Sequence, residues 1–326
     1  MRPRPLAAAI LIITVALIFS FTAPPPSVFG AATARQDQGT IRVGVSLVNL
    51  YATVRDKRKA IVADLKQEDF HIYEDDKEQK VAFFSREKTL PLTLGLLIDT
   101  SGSERYALGY EQDAASRFLG EVLKQKDEAF VITFDTDVDM LADWTSDLGE
   151  LNRAIRRAQI NAPGVGGPVT PGPFPTSGSG GTNFYDAVYL ACHDKMATET
   201  GRKALIILTD AEDNGSKLRL KDAIEAAQRA DTVVHMLLVF DPRYGADSRG
   251  AGELASETGG RLIDVHSEKK IQDAFDQISD ELRSEYVLGY YPTNDKRDGS
   301  YRKIRVEVTD KDDKVLTRKG YYAPSN

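Results

Sequence analysis

The stretch "LLIDTSGSERY" (96–106) places Asp99, Ser101 and Ser103 at alternate positions directly after an apolar run. Two more oxygen donors occupy comparable places. Thr182 follows a glycine-rich loop and opens a helical pattern, and Asp210 ends the run "ALIILTD". Sheets of parallel strands bind ligands beyond the carboxyl ends of their strands, so these are the positions at which chemistry is expected. Two carboxylates and three hydroxyls suit a hard divalent cation, Mg²⁺ foremost, with Mn²⁺ or Ca²⁺ as alternatives. With no histidine or cysteine in the set, zinc and copper match poorly. Two carboxylates only just neutralise such an ion, and hydroxyls add coordination without charge, so the ion stays electrophilic. If the five donors do not all bind directly, an octahedral ion keeps a position for water or a visiting carboxylate. The plainer reading is that both aspartates cap helices and the hydroxyls join local turns.

Other chemistries fit less well. An aspartyl phosphatase normally has a second acid two residues after its nucleophile, where this chain has Ser101. A serine hydrolase needs a histidine base, but His71, His193, His235 and His266 fall in predicted strands or helices with no matching serine context. Aspartic proteases need two D-T-G motifs, which the chain lacks, and "TSGSGGTN" has no P-loop lysine. "DTDVDM" (135–140) alternates aspartates as a calcium loop does. Met140 and Ser146 stand where such a loop needs glycine and glutamate, so a solvated hairpin turn is expected there. A metal-dependent hydrolase remains a competing class, with Glu104, Glu212 and Asp213 as the candidate bases. The single cysteine, Cys192, lies in a helical pattern and reads as a small core residue.

The elements that must position these residues change character along the chain. Residues 40–89 form an N-terminal β segment of strand-like runs ("TIRVGVSLVNLYATVRD", "DFHIYED", "QKVAFFSRE") separated by charged turns. From 90 to 283 apolar runs alternate with amphipathic helices. Leu220, Ala223, Ile224 and Ala227 share one helical face, as do Ile271, Ala274, Phe275, Ile278 and Leu282. That grammar predicts an α/β domain, a doubly wound, mostly parallel sheet covered on both faces. Within it, 161–181 is rich in glycine and proline and reads as a functional or disordered loop. Residues 284–326 return to β, with "EYVLGYYP", "YRKIRVEVTD" and "KVLTRKGYYA" as three strands. Three strands at each end are too few to bury two sheet faces, so the two segments are expected to form one β-sandwich into which the α/β domain is inserted. Two independent β appendages are the alternative. Tyr321, Tyr322 and the tyrosines of "YVLGYYP" then belong to sandwich core and edge.

The first 34 residues carry two arginines, an apolar stretch from Leu6 to Phe21 and an A-x-A pattern at Ala32–Ala34, which reads as a cleavable export signal. An uncleaved membrane anchor is the alternative. Cleavage removes Arg2 and Arg4 and no acid, moving the net charge from −7 to −9, a balance that disfavours nucleic acid and anionic lipid as partners.

"DTSGS" resembles the D-x-S-x-S motif of the von Willebrand factor type A domain, and the threonine of "GGTNFYDA" and aspartate of "LTDAEDNGS" follow in that family's order. The resemblance implies that Asp99, Ser101, Ser103, Thr182 and Asp210 form a metal-ion-dependent adhesion site, Mg²⁺ bridging to a Glu or Asp of a protein ligand. The flanks resemble the bacterial Ig/VWFA-related group of acidobacterial type. On this reading the protein is an exported, periplasmic or secreted, non-enzymatic binding module. A structural role for the metal stands as a further alternative to the hydrolase. Displacement of the helix at 267–283 would pass ligand binding to the sandwich, as in related A domains. One departure is Ala211, where the family commonly has glycine. If that position takes a positive φ, alanine there is strained or the loop reshaped.

Overall fold

The computed structural model describes residues 47–86, 91–161, 181–240 and 246–325. The segment expected to be an export signal and nearly all of the 161–181 stretch lie outside them. Among the described residues no helix is long and apolar enough to cross a membrane.

The N-terminal segment contributes β1 (Val48–Arg55), β2 (Phe70–Glu74), β3 (Lys77–Gln79) and β4 (Val81–Ser85). The α/β domain follows with β5 (Leu92–Asp99), α1 (Leu108–Val122), β6 (Glu128–Phe134), β7 (Val138–Thr145), α2 (Leu148–Arg157) and α3 (Phe184–Leu190). It continues with β8 (Arg202–Thr209), α4 (Leu220–Arg229), β9 (Thr232–Val239), α5 (Ser248–Thr258), β10 (Leu262–Val265) and α6 (Glu268–Arg283). The tail supplies β11 (Tyr286–Tyr290), β12 (Tyr301–Val308), β13 (Lys314–Leu316) and β14 (Gly320–Tyr322).

The central sheet has the order β10-β9-β8-β5-β6-β7, parallel except for the β6–β7 pair. All residues of β5 and β8 are buried, as strands covered on both faces must be. Leu94, Leu96 and Ile98 point to one face, where α1, α2 and α6 pack and Phe118 stacks on Phe275 at 4.7 Å. Leu97 points to the other, among residues of α3, α4 and α5. A Cβ at Gly95 would fall 2.4 Å from both Leu205 Cδ2 and Phe130 Cζ, so only glycine lets these side chains close over the strand. From β5 the chain winds outward through β6 and β7, then returns to β8 on the other side of β5. The strand order therefore reverses between β5 and β8, and the carboxyl ends of these neighbours carry Asp99 and Asp210.

Strands from both chain ends interleave in two four-stranded sheets, β13-β1-β11-β4 and β14-β12-β2-β3. β1 pairs with β11 and β2 with β12, and both sheets share one core containing Leu50, Ile72, Tyr286, Leu288, Ile304 and Val306. The sandwich therefore has four strands a side, made from both segments. "KVLTRKGYYA" is two strands, because Thr317–Lys319 carries the chain from one sheet to the other, and Lys80 divides β3 from β4 in the same way. Alternation along β12 turns Arg302 inward, where Glu74 lies 3.5 Å away. Tyr290 and Tyr321 hydroxyls donate to the same Glu74 carboxylate oxygen at 2.7 and 2.9 Å. Where α6 meets the sandwich, buried Glu281 accepts from Arg55 of β1 at 2.7 Å and from Arg261 at 2.7 Å, with His235 at 4.0 Å.

Candidate metal centre

Asp99 is the last residue of β5 and is fully buried. Its Oδ1 accepts from the Ser101 amide at 2.8 Å, which folds the chain sharply after the strand. Its Oδ2 accepts from the Thr209 hydroxyl at 2.5 Å, tying the end of β5 to the end of β8. The Thr209 hydroxyl in turn accepts from the Ala211 amide at 2.9 Å. Alternate spacing then brings the Ser101 and Ser103 hydroxyl oxygens to 2.9 Å from each other. Asp210 Oδ1 accepts from the Glu212 amide at 3.0 Å. Thr182, buried just ahead of α3, is bound through its main chain to the loop after Asp210. Its amide donates to Asn214 Oδ1 at 2.6 Å, and its carbonyl accepts from Gly215 at 3.1 Å.

Glu104 completes a carboxylate cluster. One carboxylate oxygen each from Asp99, Glu104 and Asp210 lie within 4.8 Å of one another, all three side chains buried. Glu111, on the inward face of α1, is wholly buried beside them. Neither Glu111 oxygen, nor Oε1 of Glu104, has a hydrogen-bond partner. Among the described residues no lysine or arginine pairs with any of the four acids. Burial pushes the Asp99 carboxyl up to about 7, against the pull of hydrogen bonds from Ser101 and Thr209 and helped by the charge of Asp210. Burial, then the charges of Glu111, Asp99 and Asp210, hold Glu104 well above the carboxylate range. Burial and Asp99 do the same to Glu111. Oxygen donors that are dry, mutually repelling and without a counter-ion are the donor set a hard divalent cation fits.

A surrounding frame fixes these groups. Asp135, expected in a solvated turn, is buried: its carboxylate accepts from the Thr100 hydroxyl at 2.8 Å and the Asn161 side chain at 3.2 Å. Its carbonyl accepts from the Asn183 amide at 2.7 Å, so one hairpin braces both the Asp99 loop and the head of α3. Asp213 caps α3 by accepting from Phe184 and Tyr185 amides at 3.1 and 3.4 Å, and it also accepts from the Ser216 hydroxyl. That leaves it poorly placed as a general base. Glu212 is exposed. Ala211 does take a positive φ, 59°, and is buried. Of the histidines, His266 lies in the loop after β10 rather than in a strand or helix. Burial pushes His235 down to about 4 and keeps it neutral. Cys192 is a free, buried core residue whose thiol burial drives far above its usual range. The reading of the residues in isolation missed Glu111, although a glutamate between Leu108 and Ala115 on an otherwise apolar helical face was a visible anomaly.

A doubly wound domain with acids and hydroxyls at its strand-order reversal defines a class of ligand-binding α/β modules. Residues 94–212 match the model of the von Willebrand factor type A domain family, a span that holds all five motif positions. Similar solved structures include the BatB protein of Bacteroides thetaiotaomicron, 19% identical over 59% of this chain and 100% of that one, TM-score 0.46. Proximal thread matrix protein 1 of the mussel byssus is 14% identical over 64% of this chain and 51% of that one, TM-score 0.49. The vWF domain of the type V pili tip protein Mfa5 from Porphyromonas gingivalis is 14% identical over 59% and 95%, TM-score 0.43. A search of curated proteins returned no match.

Proposed function

We propose that this is an exported binding protein in which Asp99, Ser101, Ser103, Thr182 and Asp210 hold a divalent cation, Mg²⁺ in the first instance, that seats an acidic side chain of a protein partner. The observation that carries this reading is the buried carboxylate cluster, its oxygens within 4.8 Å and with no basic counter-ion among the described residues, beside two hydroxyls 2.9 Å apart. When bound, the cation supplies a Lewis-acidic position for a Glu or Asp oxygen. The chain's own part is to fix the donors: Thr209 and the Ser101 amide hold both oxygens of Asp99, and Asp135 and Asp213 hold the loops on either side. A hydrolytic role for the same ion is less well supported, because Asp213 is committed to capping α3 and Glu104 is buried.

The test is partner capture from the exported fraction with the full chain as bait, in Mg²⁺ and in chelator, alongside a phosphatase and peptidase panel. Capture in Mg²⁺ that is lost in chelator, lost with Asp99→Ala, and lost when one acidic residue of the captured protein is replaced by alanine supports the reading. Capture indifferent to chelator, or turnover abolished by Asp99→Ala, contradicts it.

A further inference from the structure

The turn between Ser103 and α1 is folded inside out. Among Gly102–Tyr106 only Glu104 is buried, whereas Tyr106 is 79% exposed. A chain gains nothing by burying a glutamate and exposing a tyrosine unless the carboxylate meets a compensating charge, since an unpaired buried carboxylate costs several kcal/mol. Among the described residues no basic group supplies one: Glu104 Oε1 has no hydrogen-bond partner, and the charged groups that act on it are Glu111, Asp99 and Asp210, all acidic. A Glu104 oxygen instead falls within 4.8 Å of oxygens from both aspartates. Two oxygens on opposite sides of one ion lie roughly 4.2 Å apart for Mg²⁺ and about 4.6–5.2 Å apart for Ca²⁺, and those at adjacent positions lie closer, so three oxygens within 4.8 Å of one another reach a shared ion by a small inward movement of their side chains.

We infer that Glu104 is a third carboxylate ligand of the cation, beyond the five-residue motif; this rests on the reading that the site binds a divalent ion at all. Three carboxylates leave the loaded site with a formal charge of minus one, where two would leave it neutral, and higher ligand charge raises affinity for the ion. Glu111 contributes no oxygen to that three-carboxylate group.

The experiment is calorimetric titration of Mn²⁺ into the metal-stripped full chain, comparing wild type, Glu104→Gln and Glu104→Asp. Gln keeps the shape and removes a buried charge, so that variant is expected to fold and, without metal, to melt above wild type. Asp keeps the charge but withdraws the oxygen by one methylene. The expected result is one site in wild type and an affinity at least tenfold weaker in both variants. Wild-type affinity in Glu104→Gln overturns the assignment while leaving the metal site standing. Loss in Gln with wild-type affinity in Asp shows that Glu104 acts by charge rather than ligation, and also overturns it. Absence of Mn²⁺ uptake by the wild type removes the underlying reading itself.

Discussion

Replacing Asp99 by asparagine should stabilise the metal-free protein and abolish the stabilisation that metal confers. In the folded chain the Asp99 carboxyl titrates near 7 instead of 3.8, so its ionised form destabilises the native state at pH 8. A shift of roughly three units corresponds to about 4 kcal/mol. Asparagine carries no charge and retains an oxygen for the Ser101 amide, but its NH₂ cannot accept the Thr209 hydroxyl, a loss of about 1 kcal/mol. The variant is thus expected to be about 3 kcal/mol more stable than wild type in chelator at pH 8. Mg²⁺ or Mn²⁺ at about 100 times its Kd should add about 2.7 kcal/mol to wild type and nothing to the variant, closing most of that gap. Urea unfolding followed by the single tryptophan, Trp144 of β7 against Phe130, reads the α/β domain directly. A metal-free variant less stable than wild type, or an equal gain from metal in both, refutes the reasoning.

Three further outcomes follow from the same structure. A group whose folded pKa is raised binds its proton more tightly when folded, so its destabilisation is absent below the unfolded value and complete above the folded one. The stability difference between Asp99→Asn and wild type in chelator should therefore be small at pH 4, grow through pH 5–7 and level off near pH 8, as a series of urea melts will show. Glu281→Ala strands Arg55 and Arg261 at the junction of α6 and β1 and should cost about 3 kcal/mol in urea unfolding, with hydrogen exchange rising in both elements. Ala211→Gly relieves about 1–2 kcal/mol of left-handed strain but gives up about 0.8 kcal/mol of methyl burial and up to about 1 kcal/mol of chain entropy. Its stability should stay within about 1 kcal/mol of wild type in the same assay.

The parallel sheet was legible because burial on both faces writes itself into the middle of β5 and β8 as apolar runs, residues 94–98 and 204–208. Helices announced themselves through faces such as Ile271, Phe275 and Ile278, all buried on α6. The division of "KVLTRKGYYA" into β13 and β14 was not legible, because a strand that crosses from one sheet to another keeps the same local alternation. At the site, Asp99, Ser101 and Ser103 follow from spacing alone. Asp135 did not, because its partners Thr100, Asn161 and Asn183 come together only in the fold and nothing local distinguishes it from the exposed Asp139. Glu104 looked like an ordinary turn residue beside Tyr106. Only the fold reveals that the acid, and not the ring, is the one turned inward.

Ion stoichiometry tests the central claim most directly. Metal-stripped full-length chain is dialysed to equilibrium against Mg²⁺ or Mn²⁺, and the retained ion is counted by elemental analysis beside Asp99→Ala and Asp210→Ala. One ion per wild-type chain and none in either variant is the predicted result. A wild type that retains no ion, or variants that retain one, contradicts it.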